Sequence, residues 1–144
     1  MVRAPILLSV LALSGCGVAM QQVSPAEQQR AAYALQPSSQ AAIEHAVVTY
    51  FSDILVDPDS AKFRLLPPMQ GHVIRGTFYD QNRMFGWFVC GTVNAKNRMG
   101  GYAGQSEFFA YFNPARRDEI AFATIDRPGA ERAATNSCQD VYRS

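Results

Sequence analysis

The clearest pattern in the chain is an apolar stripe between residues 40 and 55. Apolar residues that recur at steps of three and four lie on one face of an α-helix. The stripe consists of Ile43, Val47, Tyr50, Phe51, Ile54 and Leu55. It predicts one long amphipathic helix, which must end before Pro58 because helical geometry is disfavoured directly before a proline. Asp57 and Asp59 then fit the start of a single-turn helix at Pro58 better than a pair of catalytic carboxylates.

After residue 70 the apolar period changes to two, and aromatic and β-branched residues become frequent. This pattern predicts strands at 72–79, 85–94, 107–112 and 119–125. The first two strands flank the polar stretch DQNR and should form a hairpin. The second strand carries apolar residues on both faces, with Phe85, Trp87, Val89 and Val93 on one and Phe88 and Cys90 on the other. Both faces therefore need cover, one from the long helix and the other from the C-terminal tail.

The stretch from residue 17 to residue 40 has a different character, with six Gln and few large apolar residues. Such a composition is typical of a tether. Ser24, Pro25 and Glu27 nevertheless form a helix-start signature, which predicts a short helix through about Leu35. The sequence thus predicts a flexible tether over 16–38 and one globular α+β domain over 39–144. In that domain a long amphipathic helix packs on a small, mostly antiparallel four-stranded sheet with one disulfide.

Composition adds limits on function. The chain has 144 residues, 48% of them hydrophobic, and a formal net charge of +1. This charge argues against a nucleic-acid partner, since nucleic-acid binders normally carry a large basic excess. Charge is uneven, however, because residues 62–98 hold six basic residues and one acidic residue. This basic segment either balances the acidic helix before it, or faces anionic lipid headgroups or the cell wall.

The N-terminus has the features of a leader. Arg3 precedes an apolar run at residues 6–13, which is far shorter than the roughly 20 residues of a membrane-spanning helix. The following residues, Leu13-Ser14-Gly15-Cys16, resemble the lipobox of bacterial lipoproteins. That resemblance implies a signal peptide over 1–15 and a mature protein that begins at an acylated, palmitate-bearing Cys16. Gly17 in place of Asp favours the outer membrane, facing the periplasm; the alternative is an ordinary secretory leader.

Two further cysteines remain for the folded domain. Cys90 and Cys138 would lie in a compartment where disulfides form and persist, so we expect them to pair. Such a bond would stabilise the domain by about 4 kcal/mol in the chain-entropy model. The alternative is a reactive Cys90 with His72 as its base. No CxxC and no thiol-enzyme signature flank Cys90.

The connection at residues 94–106 is long for a hairpin and rich in glycine. Asn94 and Asn97 can bond nearby backbone groups, and Lys96 and Arg98 place two cations beside the glycines. The candidate binding loop consists of Asn94, Lys96, Asn97, Arg98, Gly100, Gly101 and Tyr102. It matches neither a phosphate-binding P-loop nor a dinucleotide fingerprint. It is either a docking site for an anionic group or a solvated turn.

The stretch DPDSAKF at 57–63, together with CGTVNAKN and GGYAG further along, resembles a family of small uncharacterised bacterial and phage-encoded proteins. Many members of that family carry lipoprotein leaders. The resemblance covers roughly residues 55–112 and supports the fold assignment. It implies no activity.

Catalytic and metal-binding signatures are weak. The two His are 27 residues apart, and the chain has no HExxH, no paired CxxC and no serine elbow. We therefore expect no metal, no cofactor and no enzymatic activity. The sequence favours an envelope lipoprotein whose small domain is an interaction or structural module for a protein or cell-wall partner. The alternative is a periplasmic small-ligand-binding protein or a thiol-dependent enzyme that uses the 94–106 loop with Cys90 and His72.

Overall fold

The computed structural model describes residues 23–77, 80–127, 129–130 and 132–143. It contains α1 (Pro25–Ala32), α2 (Gln40–Ser52), a 3-10 turn (Pro58–Ser60), β1 (Lys62–Leu65), β2 (Met69–Thr77), β3 (Asp80–Asn94), β4 (Ser106–Phe112), β5 (Ile120–Ile125) and α3 (Ala133–Arg143). The α+β class is confirmed. The described residues form five strands rather than four, and three helices rather than one long one.

The sheet is built around β3, whose 15 residues pair antiparallel with three other strands. β4 lies along one edge, and β5 follows β4. Along the other edge β2 pairs with the first part of β3, and the short β1 pairs with its last four residues. The predicted turn at 80–83 is wrong, since these residues already belong to β3 and pair with β2. The connection lies at residues 78–79, outside the described residues.

Gly91 is required where β1, β3 and β4 meet. A Cβ atom at this position would lie 2.2 Å from the carbonyl oxygen of Arg64 and 2.7 Å from a ring carbon of Phe108. Backbone and a buried ring cannot both move aside, so only glycine fits here. The strand β1, which the sequence did not predict, therefore leaves no room for a side chain at Gly91.

One face of the sheet packs against α2. Ile43, Val47 and Phe51 from the helix are all buried. They form a continuous core with Val89, Val93, Phe108, Ala110, Phe112 and Ala123 of the sheet. Rings in this α2 face contact one another closely, with Phe51 and Phe108 centroids 5.4 Å apart. The predicted stripe is confirmed within α2, but the helix ends at Ser52, three residues earlier than expected, and Ile54 is exposed. The predicted faces of β3 are confirmed except for Phe85, which does not join this core.

The opposite face packs against α3, where the sequence predicted a covering C-terminal tail without assigning it a helix. Its core is smaller and consists of Val73, Met84, Phe88, Cys90, Phe109, Ala134 and Val141. A disulfide joins Cys90 on β3 to Cys138 on α3, so the expected pairing is confirmed. The carboxylate of Asp126 accepts hydrogen bonds from the backbone N–H of Ala134 (2.7 Å) and of Thr135 (3.1 Å). A residue that precedes the helix in sequence therefore caps its N-terminus.

The helix α1 forms as its capping signature predicts. Ser24 and Glu27 make the reciprocal hydrogen bonds of a capping box. The helix packs on the sheet: Glu27 forms an ion pair with Arg83 of β3, and the side chain of Gln70 donates a hydrogen bond to the carbonyl of Ala31 (2.6 Å). The chain from Pro25 to Ala32, which lies within the tether predicted over 16–38, therefore packs on the sheet.

Candidate functional site

The predicted binding loop lies at the end of the β3–β4 hairpin. Regular pairing ends at Val93 and Ser106, and an isolated bridge between Lys96 and Tyr102 extends the hairpin beyond it. The backbone N–H of Ala103 also donates to the carbonyl of Ala95 (3.2 Å). The loop is therefore a narrow extension of the sheet, with residues 97–101 at its tip.

Asn97 organises this tip. Its side-chain oxygen accepts hydrogen bonds from the backbone N–H of Met99 (2.9 Å) and of Gly101 (3.2 Å). Its backbone N–H donates to the carbonyl of Gly101 (2.8 Å), and its backbone carbonyl accepts from the N–H of Gly100 (2.9 Å). Gly100 has a φ of +80°, a conformation that other residues rarely adopt. The local role expected for Asn97 is therefore confirmed.

The base of the loop is anchored on the 3-10 turn. The hydroxyl of Ser60 accepts a hydrogen bond from the backbone N–H of Lys96 (3.1 Å) and donates one to the carbonyl of Asp57 (2.9 Å). The carboxylate of Asp57 in turn accepts from the backbone N–H of Ser60 (3.2 Å). Asp57 thus starts a single turn, as predicted, and this turn holds the loop. The stretches DPDSAKF and CGTVNAKN thus meet in space at Ser60 and Lys96.

Two lysines flank the aromatic residue of the loop. The ammonium of Lys62 on β1 lies 5.0 Å from the ring centroid of Tyr102, and that of Lys96 lies 5.9 Å from it. Both distances are within the range of cation–π attraction. The phenol ring is 45% exposed. Tyr102 therefore presents an aromatic surface with a cation on either side of it.

Beyond this ring the tip is open to solvent. Met99 is 94% exposed, and Arg98 and the two glycines beside it are also exposed. Lys62, Lys96, Arg98, Met99 and Tyr102 together form what we call the apex surface. Among the described residues none of its three cations forms an ion pair. The surface combines unpaired positive charge, an aromatic ring and a flexible apolar side chain, a composition suited to an anionic partner.

Asn94 does not belong to this surface. It is the last residue of β3 and stands opposite Lys62 in the strand register. Its side-chain oxygen is buried and has no hydrogen-bond partner in the described part of the chain. Unlike Asn97, it therefore does not bond the loop backbone, and we do not include it in the apex surface.

The thiol-dependent alternative loses its nucleophile. Cys90 is 1% exposed and its sulfur is bonded to that of Cys138, so it has no thiol to ionise. His72, its proposed base, stacks on the ring of Phe85 with centroids 6.0 Å apart. The arrangement at Cys90 is that of a structural crosslink.

The leader and Cys16 lie outside the described residues. Within 23–143, gaps excepted, no helix combines the length and apolarity needed to cross a bilayer. The same residues contain no group of three or more His, Cys, Asp or Glu side chains arranged to hold a metal ion. Comparison of the chain with protein-family models, with curated proteins and with solved structures gave no match.

Sequence reasoning missed two residues that shape the site. Both Ser60 and Lys62 belong to the stretch DPDSAKF. For this stretch the sequence predicted only a helix start at Pro58 and no strand. The proximity of Ser60 to Lys96 depends on the pairing of β1 with the end of β3, which single-strand patterns do not reveal. The one usable signal was the unusual composition of both stretches.

Proposed function

We propose that this protein is a lipid-anchored envelope protein whose folded domain is a non-enzymatic interaction module. In this proposal Cys16 is acylated and holds the domain at the outer membrane. The apex surface then contacts an anionic component of the envelope, the cell wall in the first place. The observation that carries the proposal is the loop itself: its backbone is fixed by Asn97 and Ser60, while Met99 is 94% exposed.

A fixed loop with exposed side chains is suited to binding because little conformational entropy is lost on association. A solvated connection has no need of the anchor at Ser60 or of a cation on each side of Tyr102. The disulfide is consistent with the compartment, because such bonds persist in oxidising locations and are rare in the cytosol.

The position of α1 sharpens the proposal. Cys16 precedes the helix cap Ser24 by eight positions. Since an extended chain spans at most about 3.5 Å per residue, the anchor would lie no more than about 28 Å from the folded domain. The partner is therefore one found near the membrane surface, at the high effective concentration that a short tether creates.

The anchor is tested by intact-mass measurement of the full chain expressed in a Gram-negative bacterium and purified from its membranes. We expect a protein that begins at Cys16 and carries acyl chains, with two hydrogens fewer than the reduced form because of the disulfide. The Cys16→Ser variant should lack the acyl mass. A mature chain that begins elsewhere, or is recovered free in the periplasm, would contradict the anchor.

The apex surface is tested by co-sedimentation with purified peptidoglycan sacculi. Replacing Lys96 and Arg98 with alanine should reduce the bound fraction by about tenfold, since charge-assisted contacts are lost. The matched control replaces Arg116 and Arg117, two exposed residues of the β4–β5 connection, and removes the same charge elsewhere. Equal loss in both variants, or loss in neither, would contradict a role for the apex surface. Stronger binding to anionic vesicles than to sacculi would overturn the choice of partner.

A further inference from the structure

A cleft of about 520 Å³ lies beside the disulfide, where α3 ceases to cover the sheet. This volume is in the range of small-molecule sites, roughly 300–1,000 Å³. None of the apex residues lines it. The cleft is therefore a second surface, separate from the one in the proposed function.

The cleft is lined by a row of three side chains on neighbouring strands, of which Arg64 and Glu107 are exposed. Arg64 of β1 is paired with Thr92 of β3, and Thr92 is paired with Glu107 of β4. All three line the cleft. Because adjacent strands lie about 4.8 Å apart, the Cα atoms of Arg64 and Glu107 are about 10 Å apart. A guanidinium and a carboxylate thus stand at opposite ends, with a hydroxyl between them.

Neither charge has a partner among the described residues. Arg64 and Glu107 form no ion pair and no side-chain hydrogen bond there. Asp126, which follows Glu107 in the same row, is occupied in capping α3. The two charges are therefore available to a ligand.

The lining of the cleft is partly apolar and also includes Leu66, Tyr142 and Cys138. The hydroxyl of Tyr142 donates to the carbonyl of Pro67 (2.6 Å), and burial raises the pKa of that phenol. The ring is thus held as a neutral wall, with its polar end already satisfied.

We infer that this cleft binds a short peptide with both termini free. The carboxylate terminus pairs with Arg64, the ammonium terminus pairs with Glu107, and the peptide backbone passes over Thr92. Three extended residues span at most about 10 Å, which matches the spacing of the two Cα atoms from which the charged side chains extend. Small side chains would contact Leu66 and Tyr142.

The test is a titration of the full-length, oxidised protein with trialanine, followed by amide chemical shifts of β1, β3 and β4. We expect saturable shifts centred on residues 64, 92 and 107. N-acetyl-trialanine and trialanine amide each lack one terminal charge, and each should bind about tenfold more weakly or worse. Equal binding of all three peptides, or no saturable shift with trialanine, would overturn the proposal.

Variants assign the two ends. Arg64→Gln should weaken trialanine about tenfold but leave the affinity for trialanine amide unchanged, since that ligand has no carboxylate to lose. Glu107→Gln should also weaken trialanine about tenfold. It should leave the affinity for N-acetyl-trialanine unchanged, since that ligand has no ammonium terminus to lose. The matched controls are Arg117→Gln in the β4–β5 connection and Glu44→Gln on α2, both exposed and outside the cleft. The assignment would be refuted if the control variants bound trialanine as weakly as the test variants. It would also be refuted if the loss of affinity were the same for free and terminally blocked peptides.

Discussion

The two faces of the sheet are stabilised in different ways. The α2 face is a continuous apolar core in which three helix residues are buried against aromatic and β-branched strand residues. The α3 face has a smaller core, and its helix is additionally held by the disulfide and by the Asp126 cap. α2 is thus held mainly by burial, and α3 by burial together with specific bonds at two points. Burial is encoded in a local pattern, whereas such bonds depend on residues distant in sequence.

The largest effect is expected for a cavity in the α2 face. Phe51 is fully buried and contacts the rings of Phe63 and Phe108. Phe51→Ala should lower the free energy of unfolding by about 3–5 kcal/mol, from lost burial and the cavity left behind. Urea denaturation measures it. Val48→Ala, on the exposed side of the same helix, should change the free energy by less than about 0.5 kcal/mol. Similar losses in both variants would contradict the core assigned here.

The second effect is expected on the other face. Replacing both Cys90 and Cys138 with alanine opens a crosslink that spans 48 residues, which should cost about 2–4 kcal/mol. Amide exchange should become faster in α3 before it does in α2, because only α3 is held by this bond. Adding a reductant should destabilise the wild type but leave the variant unchanged. Uniformly faster exchange across both helices would show that the two faces do not differ as described.

The third effect isolates the cap of α3. Asp126→Ala leaves the backbone N–H groups of Ala134 and Thr135 without their acceptor and should cost about 1 kcal/mol. Asp140→Ala is the matched control, an exposed acid near the other end of the same helix. It should be neutral or slightly stabilising, since an acidic residue there opposes the helix dipole. Thermal unfolding distinguishes the two, and equal destabilisation would argue against a capping role.

The smallest effect concerns α1 and depends on pH. The hydrogen bond from the backbone N–H of Ser24, followed by the contact with Arg83, lowers the pKa of Glu27 from 4.5 to about 2. A carboxylate with a lowered pKa stabilises the fold above its unfolded pKa, and this contribution is lost as the pH falls through the folded value. The stability difference between wild type and Glu27→Gln should therefore be constant above about pH 5 and shrink toward pH 2.

Asp118 also has a lowered pKa, because Ser38 donates hydrogen bonds to it from its hydroxyl and its backbone N–H. Asp118 is present in both the wild type and Glu27→Gln, so its titration cancels in the stability difference between them. A difference that grows as the pH falls would contradict the Glu27 contacts.

The contrast between the faces also explains which elements could be predicted. The stripe of α2 and the alternation in β4 and β5 are local, and the observed bounds of these two strands differ from the predicted ones by one residue at most. The sequence of α3, AATNSCQDVYR, contains several weak helix formers, and its cap comes from Asp126 on the preceding strand connection. β1 has only four residues, too few for a period of two to be recognised.

The candidate site divides in the same way. The loop was predictable from its glycines, and the role of Asn97 followed from the tendency of Asn to bond nearby backbone groups. Its anchor at Ser60 and the row of Arg64, Thr92 and Glu107 were not predictable. Both depend on the register in which β1 pairs with β3, and register is a property of two strands together.

That register gives the crosslink a further meaning. A slip of β3 by one residue would turn Cys90 toward α2 and Val89 toward α3. Cys138 could then no longer reach its partner, so only molecules whose central strand is correctly aligned can be oxidised within the chain. The fraction of molecules that form the Cys90–Cys138 bond on refolding should therefore report how many chains avoided this one-residue slip.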